Sequence, residues 1–425
     1  MKKILLFPLL VFVCSLTAQQ HVGCGFDLLL ESEKDGKAVR WNEAYRYALE
    51  RHMDEQRADE IIQIPVVFHI VWNQDYQNLH DSVIFSQLDV LNEDYRRMNA
   101  DADLTRDEFL DVAADAEIEF FLAEVDPEGN LTNGIDRVES AVSGFQLDFF
   151  DFSTLDAVKS SETNGADAWD TDHYLNIWVC NLEESLFGQI FGYAYPPEGA
   201  PNWPEGTSAP SPGLEGVVLH YATVGRNNPQ GMDDNLEGNE RGRTATHEIG
   251  HYLGLRHIWA DGFFDGCAED DGLEDTPNAA TSANFVCDYS NNTCDDGEGD
   301  LPDMIENYMD YNQGECYNMF TYEQINMMRT NIELFRPGLL EEVGVAVEEQ
   351  KPVTVTVAPN PVGGKLTVRG NWKESAELSL HDLSGRLVYQ VVSKSNLIEI
   401  ETNFLERGIY ILRVDGLGET KIVKK

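Results

Sequence analysis

Positive charge is scarce in this chain: 30 Lys and Arg stand against 75 Asp and Glu, a formal net charge of −45 over 425 residues. That scarcity excludes nucleic acid as a partner, because its binding relies on cations that neutralise phosphates. Cation binding, or a salty medium, suits such a surface. Long apolar runs are missing too: no segment approaches the ~20 apolar residues that a membrane-spanning helix needs, so no integral span is expected. Cysteine and histidine are sparse, at seven and ten residues. Both are clustered rather than spread, and the clusters ask for a chemical reason.

The N-terminus reads as an export signal over 1–18, with Lys2 and Lys3, an apolar run from Ile4 to Val13 and small residues near Ala18. Residues 19–58 are polar, with a helix-like pattern only near Trp41–Arg51, which suits a propeptide or a linker. IPVVFHIVW (Ile64–Trp72) is the first buried strand. Ser82 to Asn99 follows as an amphipathic helix capped by Ser82, with Val83, Ile84, Leu88, Leu91 and Tyr95 at helical spacing. Further strands are expected at Ile118–Val125, Tyr174–Cys180, Gln189–Tyr195 and Gly216–Ala222. Strands mixed with helices indicate an α/β (α+β) domain over 59–340. The charge then changes sign, since residues 351–425 hold 11 Lys/Arg and 8 Asp/Glu. A linker at 341–351 is expected there. Beyond it KLTV, ELSLHDLSGRLVYQVV, LIEIE and GIYILRV predict a small all-β sandwich over 352–425.

Three of the histidines fall within HEIGHYLGLRH, His247 to His257. On an α-helix His247 and His251 leave the same face about one turn apart. Ala245, Ile249, Tyr252 and Leu253 fall opposite and can pack into a core. Gly254 stands where a helix often ends on a residue of positive φ, so the chain can turn and return His257 to the same point. Three neutral imidazoles leave Zn²⁺ its full charge and one open position, and a water there becomes acidic near pH ~7. Glu248 is then the base that accepts its proton and passes it to a leaving amine.

This segment resembles the HExxHxxGxxH signature of the metzincin clan of zinc endopeptidases. The resemblance implies a methionine turn, found in ENYMDY (Glu306–Tyr311): Met309 would floor the metal site and Tyr311 would stabilise the oxyanion. GRTATHEIGHYLGLRHIW, an acidic cysteine-containing loop with DTP (Asp275–Pro277), NYMDY and Cys316 are together similar to the pappalysin family over roughly residues 60–335. That similarity implies a metzincin-like domain with a mixed twisted sheet and an active-site helix. It also implies a secreted zinc endopeptidase acting on proteins or peptides. The competing reading is a calcium-stabilised surface adhesin with a vestigial metal site.

Cys267, Cys287, Cys294 and Cys316 lie close together. In an exported chain such a cluster forms two disulfides; a four-thiolate zinc site is the alternative, although paired C-x2-C knuckles are missing. Spacing leaves three pairings open, and the resemblance implies Cys267–Cys294 with Cys287–Cys316. Residues 261–300 carry 12 Asp and Glu and no Lys or Arg. Such repulsion invites Ca²⁺, an oxygen-seeking cation, with Asp270, Asp271, Asp275, Thr276 and Asp296 as ligand candidates, or else the loop is simply solvated. GQIFGYAYPP, with Gly192, Tyr193 and Ala194, is the expected edge strand to which an extended substrate adds. Glu315 is expected either to favour Arg or Lys after the scissile bond or to be a plain surface acid.

VGCG places Cys24 soon after the signal. Its thiolate could fill the open position on zinc and hold a zymogen inactive, as metzincin propeptides do, until cleavage near Arg57. A disulfide with Cys180, otherwise a buried inert thiol, is the competing reading. APNPVGGKLTV, LSLHDLSGRLVYQ, LERGIYILRV and KIVKK resemble the C-terminal sorting domain of the type IX secretion route. This implies the secretion machinery as a partner and an extracellular or cell-surface destination; a carbohydrate-binding sandwich is the alternative.

Overall fold

The structure is a computed structural model that describes residues 24, 45, 49, 61–148, 151–185, 188–231, 242–260, 266–268, 270–312, 314–341, 356–370, 376–414 and 418–425. The signal segment, Arg57, most of 19–58 and nearly all of the 341–351 linker lie outside the described residues. The chain divides into two compact units between Val345 and Ala346, within the expected linker.

One strand organises the first unit. β1 (Ile62–Trp72) is buried on both faces for most of its length, as a central parallel strand must be. After it come α1 (Asp81–Tyr95), β2 (Ala113–Ala114), β3 (Ile118–Leu122), β4 (Ile135–Glu139), β5 (Leu175–Cys180), β6 (Gly192–Ala194), β7 (Val217–His220), α2 (Arg243–Tyr252), β8 (Phe320–Thr321) and α3 (Tyr322–Phe335). The main sheet runs β3-β1-β5-β7-β6, with β4 also paired to β1. Eleven residues let β1 take two partners in succession on one side: Ile62–Val66 pair with β3 and Phe68–Trp72 with β4. Its other side pairs with β5, which pairs in turn with β7, all in parallel. Only β6 is antiparallel, and it forms the short edge beside α2.

The expected helix at Ser82–Asn99 is shorter. His80, not Ser82, caps it, because the His80 ring nitrogen accepts from the Ser82 amide at 3.1 Å. It ends before Arg97, whose φ of 46° is incompatible with continued helix. Val83, Ile84, Leu91 and Tyr95 are buried as their spacing predicts, with Leu88 packed at the margin. The expected strands at 118–125 and 189–195 shorten to β3 and β6.

The second unit has β9 (Thr356–Ala358), β10 (Lys365–Arg369), β11 (Ala376–Asp382), β12 (Leu387–Ser393), β13 (Leu397–Glu401), β14 (Gly408–Val414) and β15 (Gly418–Lys424). They form two antiparallel sheets, β13-β10-β9 and β12-β11-β14-β15. Alternate residues of both, such as Leu366, Val368, Leu378, Leu380, Ile400 and Leu412, share one core, which is a sandwich. Among the described residues no helix is long and apolar enough to cross a membrane.

One buried carboxylate locks α1 to α2. Asp94 accepts from Arg243 Nη2 at 3.2 Å, Thr246 Oγ1 at 2.8 Å and the Tyr308 hydroxyl at 2.8 Å. Asp101 accepts from the same guanidinium at 2.6 and 2.7 Å. Replacing Asp94 with Ala strips one partner from a buried ion pair, and urea unfolding should register a loss of about 3–5 kcal/mol.

Candidate metal centre

α2 begins at Gly242 (φ 74°) and stops before Gly254 (φ 97°), two positions in the left-handed region that favours glycine. A Cβ on Gly254 would also collide with the Asn331 side chain. Asn202 Nδ2 and Trp203 Nε1 donate to the Gly254 carbonyl at 2.7 and 2.9 Å, and Asn331 Nδ2 to the Leu253 carbonyl at 2.9 Å. So held, the turn returns His257 to the helix. The Nε2 atoms of His247, His251 and His257 stand 3.0–3.2 Å from one another.

Their partners decide what two of these nitrogens present. His247 Nδ1 meets the Tyr308 carbonyl at 2.7 Å, and His251 Nδ1 the Leu255 carbonyl at 2.9 Å. A carbonyl only accepts, so each Nδ1 carries its proton and each Nε2 offers a lone pair. Burial, helped by the two neighbouring imidazoles, holds His251 well below the usual histidine range and therefore neutral. A tetrahedral zinc with nitrogens at about 2.05 Å sets its ligand atoms about 3.3 Å apart, so the residues fit that ion.

The surroundings are specific. Met309 is buried beneath the helix, where a Cβ on Gly250 would run into its sulfur. Trp259 stacks on His257 with centroids 4.2 Å apart and planes 6° from parallel, and Tyr311 meets the same imidazole edge-on at 4.7 Å. The cleft above is lined by Cys24, Phe191, His247, Glu248, Phe285 and Tyr311 among others. Glu248 is buried in its wall.

Cys24 enters this cleft. Its Sγ donates to Glu248 Oε2 across 3.3 Å, and the sulfur and the three histidines' ligand nitrogens all lie within 4.8 Å of one another. Its backbone bridges Gly192 in parallel, and its carbonyl accepts from the Tyr311 hydroxyl at 3.4 Å. Neither Cys24 nor Cys180 forms a disulfide, and the two therefore do not pair. Burial pushes the Cys180 thiol far up, which suits an inert core residue.

Along β6, Gly192 lies against Glu248, since a Cβ there would stand 2.9 Å from Glu248 Cγ. Tyr193 points the other way. Neighbouring strand residues face opposite sides, so its side chain enters the core, where it and Tyr195 donate to Asp156 at 3.1 and 2.7 Å. Glu315 is exposed, next to the buried Cys316.

The insert carries the disulfides Cys267–Cys294 and Cys287–Cys316. Its five calcium candidates do not converge as the histidines do, among the described residues. Asp275 instead anchors α3, accepting from Thr321 Oγ1 at 2.7 Å and the Glu323 amide at 2.8 Å. Burial raises its pKa to about 6. Asp296 accepts from the Asn278 amide at 3.3 Å, and Asp270 from the Gly272 amide. Asp271 differs. Thr276 Oγ1 donates to its Oδ1 at 2.8 Å, while its Oδ2 is buried with no hydrogen-bond donor. Burial pushes this carboxyl well above the carboxylate range, and the charges of Asp270 and Asp275 add to the shift.

A mixed sheet with its edge strand along a helix that carries two convergent histidines, and a third returned by a glycine turn, defines the metzincin class of metalloproteases. A family profile described as pregnancy-associated plasma protein-A matches residues 159–333, and one for a secretion system C-terminal sorting domain matches 356–425. Tannerella forsythia promirolysin superposes with a TM-score of 0.61 at 36% identity, covering 75% of this chain and 97% of that one. Mature mirolysin from the same organism, in complex with a cleaved peptide, gives 0.55 at 38% identity, covering 66% and 99%. An extracellular metalloprotease of Arthroderma benhamiae is 35% identical over 125 residues, which is 29% of this chain and 41% of that protein. The chain thus spans about two fifths of that curated relative's length. It belongs to the pappalysin family of metalloproteases and carries a secretion sorting domain at its C-terminal end.

Several residues that shape the site are not evident in the signature: Asp94, Arg243, the Tyr308 carbonyl, Trp259, Gly250 and the Asn202–Trp203–Asn331 clamp. Arg243 alone leaves a trace, standing four residues before His247 and so one helical turn away. Gly250 offers the cleanest test. Substituting Ala forces a methyl group against Met309, and overpacking of that kind costs about 1–3 kcal/mol. Thermal unfolding should show this loss together with weaker zinc retention on dialysis.

Proposed function

We propose that this chain is a secreted zinc endopeptidase held latent by its own N-terminal segment. The observation that carries the proposal is the approach of three histidine Nε2 atoms to 3.0–3.2 Å of one another beside a buried glutamate at the foot of a cleft. His247, His251 and His257 would hold the zinc, over the apolar floor of Met309. Zinc there supplies a Lewis acid and makes a water acidic near pH ~7. Glu248 accepts a proton from the attacking water and delivers it to the leaving nitrogen. Tyr311, whose hydroxyl already faces a carbonyl oxygen in the cleft, donates to the oxygen that gains negative charge. The substrate backbone pairs with Gly192–Ala194 at the sheet edge.

Cys24 holds that edge and contacts Glu248, so its removal, through cleavage near Arg57, is activation. The likeness to promirolysin supports a proprotein organisation: it covers 75% of this chain, whereas mature mirolysin covers 66%. The order of parts is then signal 1–18, propeptide 19–58, catalytic domain 59–340 and sorting domain 352–425. The secretion machinery recognises the last of these. An Arg or Lys preference after the scissile bond rests on Glu315 beside Cys316. Calcium would bind the insert at Asp271, whose buried oxygen lacks a donor, with help from Asp270.

Two experiments test this reading. Glu248→Gln should retain zinc and its unfolding midpoint while cleavage of a peptide library falls about 10²- to 10⁴-fold. A zinc chelator should silence the unsubstituted protein, and sequencing the cut ends reads the preference assigned to Glu315. Equal cleavage by both proteins would overturn the role of Glu248. Calcium at about a hundred times its Kd should stabilise the fold by about 2.7 kcal/mol, an increment that Asp271→Asn removes.

A further inference from the structure

Tyr45 stands in the N-terminal segment, yet it is only 2% exposed. Its backbone and that of Leu49 are helical. Leu49, four residues on, packs against the core of the catalytic unit. The Tyr45 hydroxyl donates to Asn331 Oδ1 at 2.8 Å and lies 3.5 Å from Asn202 Oδ1. Its ring meets Phe335 at 6.2 Å. Both amides are oriented from behind, since their nitrogens donate to the Leu253 and Gly254 carbonyls. Their oxygens must therefore face the phenol.

We propose that Asn202, Asn331 and Phe335 form a socket for a phenol side chain, filled by Tyr45, and that this socket is the second anchor holding Cys24 over the histidines. The proposal rests on the latency reading above. At the metal centre the contacts of Cys24 among the described residues include its thiol on Glu248, its backbone bridge to Gly192 and the Tyr311 hydroxyl. A second attachment on the same segment makes rebinding of Cys24 intramolecular and raises its effective concentration. The socket is also coupled to the site itself, because the two amides that receive Tyr45 are those that hold the turn returning His257. Tyr45 is thus a positioning residue, acting through the segment and not on substrate.

The test uses the full chain carrying Glu248→Gln, which prevents self-cleavage, and follows alkylation of Cys24 by iodoacetamide with mass spectrometry. Loss of the phenol hydroxyl in Tyr45→Phe should speed labelling about fivefold, as expected for one buried hydrogen bond. Tyr45→Ala should speed it further. Labelling of Cys24 as slow in both variants as in the parent overturns the socket. The conservative Phe variant keeps the test valid if Ala perturbs folding. Latency is checked apart from this, in the chain with Glu248 intact, by Cys24→Ala. Peptide cleavage without a lag supports the latency reading, whereas an inactive Cys24→Ala chain with fast labelling in the Tyr45 variants overturns latency and leaves the socket standing.

Discussion

Two hydrogen bonds, from His247 Nδ1 to the Tyr308 carbonyl and from His251 Nδ1 to the Leu255 carbonyl, determine the chemistry of the centre. They place a proton on the outward nitrogen of each ring and a lone pair on the inward one, so that the rings become ligands rather than donors. Each acceptor is itself held. Tyr308 is tied by its hydroxyl to Asp94, which also grips α2 through Arg243 and Thr246. Leu255 follows the glycine turn, its amide donating to the Gly250 carbonyl at 2.9 Å. A shift in either support would turn a ring before it altered the helix.

The edge strand β6 meets the same centre from the other side. Glycine at position 192 lets Glu248 lie against the strand, and the strand's outer side is where Cys24 pairs. On the latency reading proposed above, the Cys24 segment and a substrate would share one short stretch of backbone.

Much of this was legible in the chain because it is local. The histidine spacing, the glycine that ends the helix and the apolar runs of β1, β5 and β7 are properties of a few consecutive residues, which helical and strand periods convert directly into geometry. What escaped is contributed from afar. The Tyr308 carbonyl lies 61 residues from His247, and Asn202 lies 52 from Gly254; neither has a periodic signature. At the acidic insert, composition alone leaves open which carboxylates, if any, share a cation. Asp275 serves the start of α3, whereas Asp271 Oδ2 is buried without a hydrogen-bond donor among the described residues.

The disulfide Cys287–Cys316 encloses Tyr308, Met309 and Tyr311 in a loop with a sequence separation of 29. Closing a loop of that size removes about 3.5 kcal/mol of unfolded-chain entropy in the simple polymer account. In a reducing cytosol this contribution is withheld, and the carbonyl that orients His247 hangs from an untied segment. Oxidation after export supplies it. On that account the segment that orients His247 is tied down only once the chain has left the cytosol.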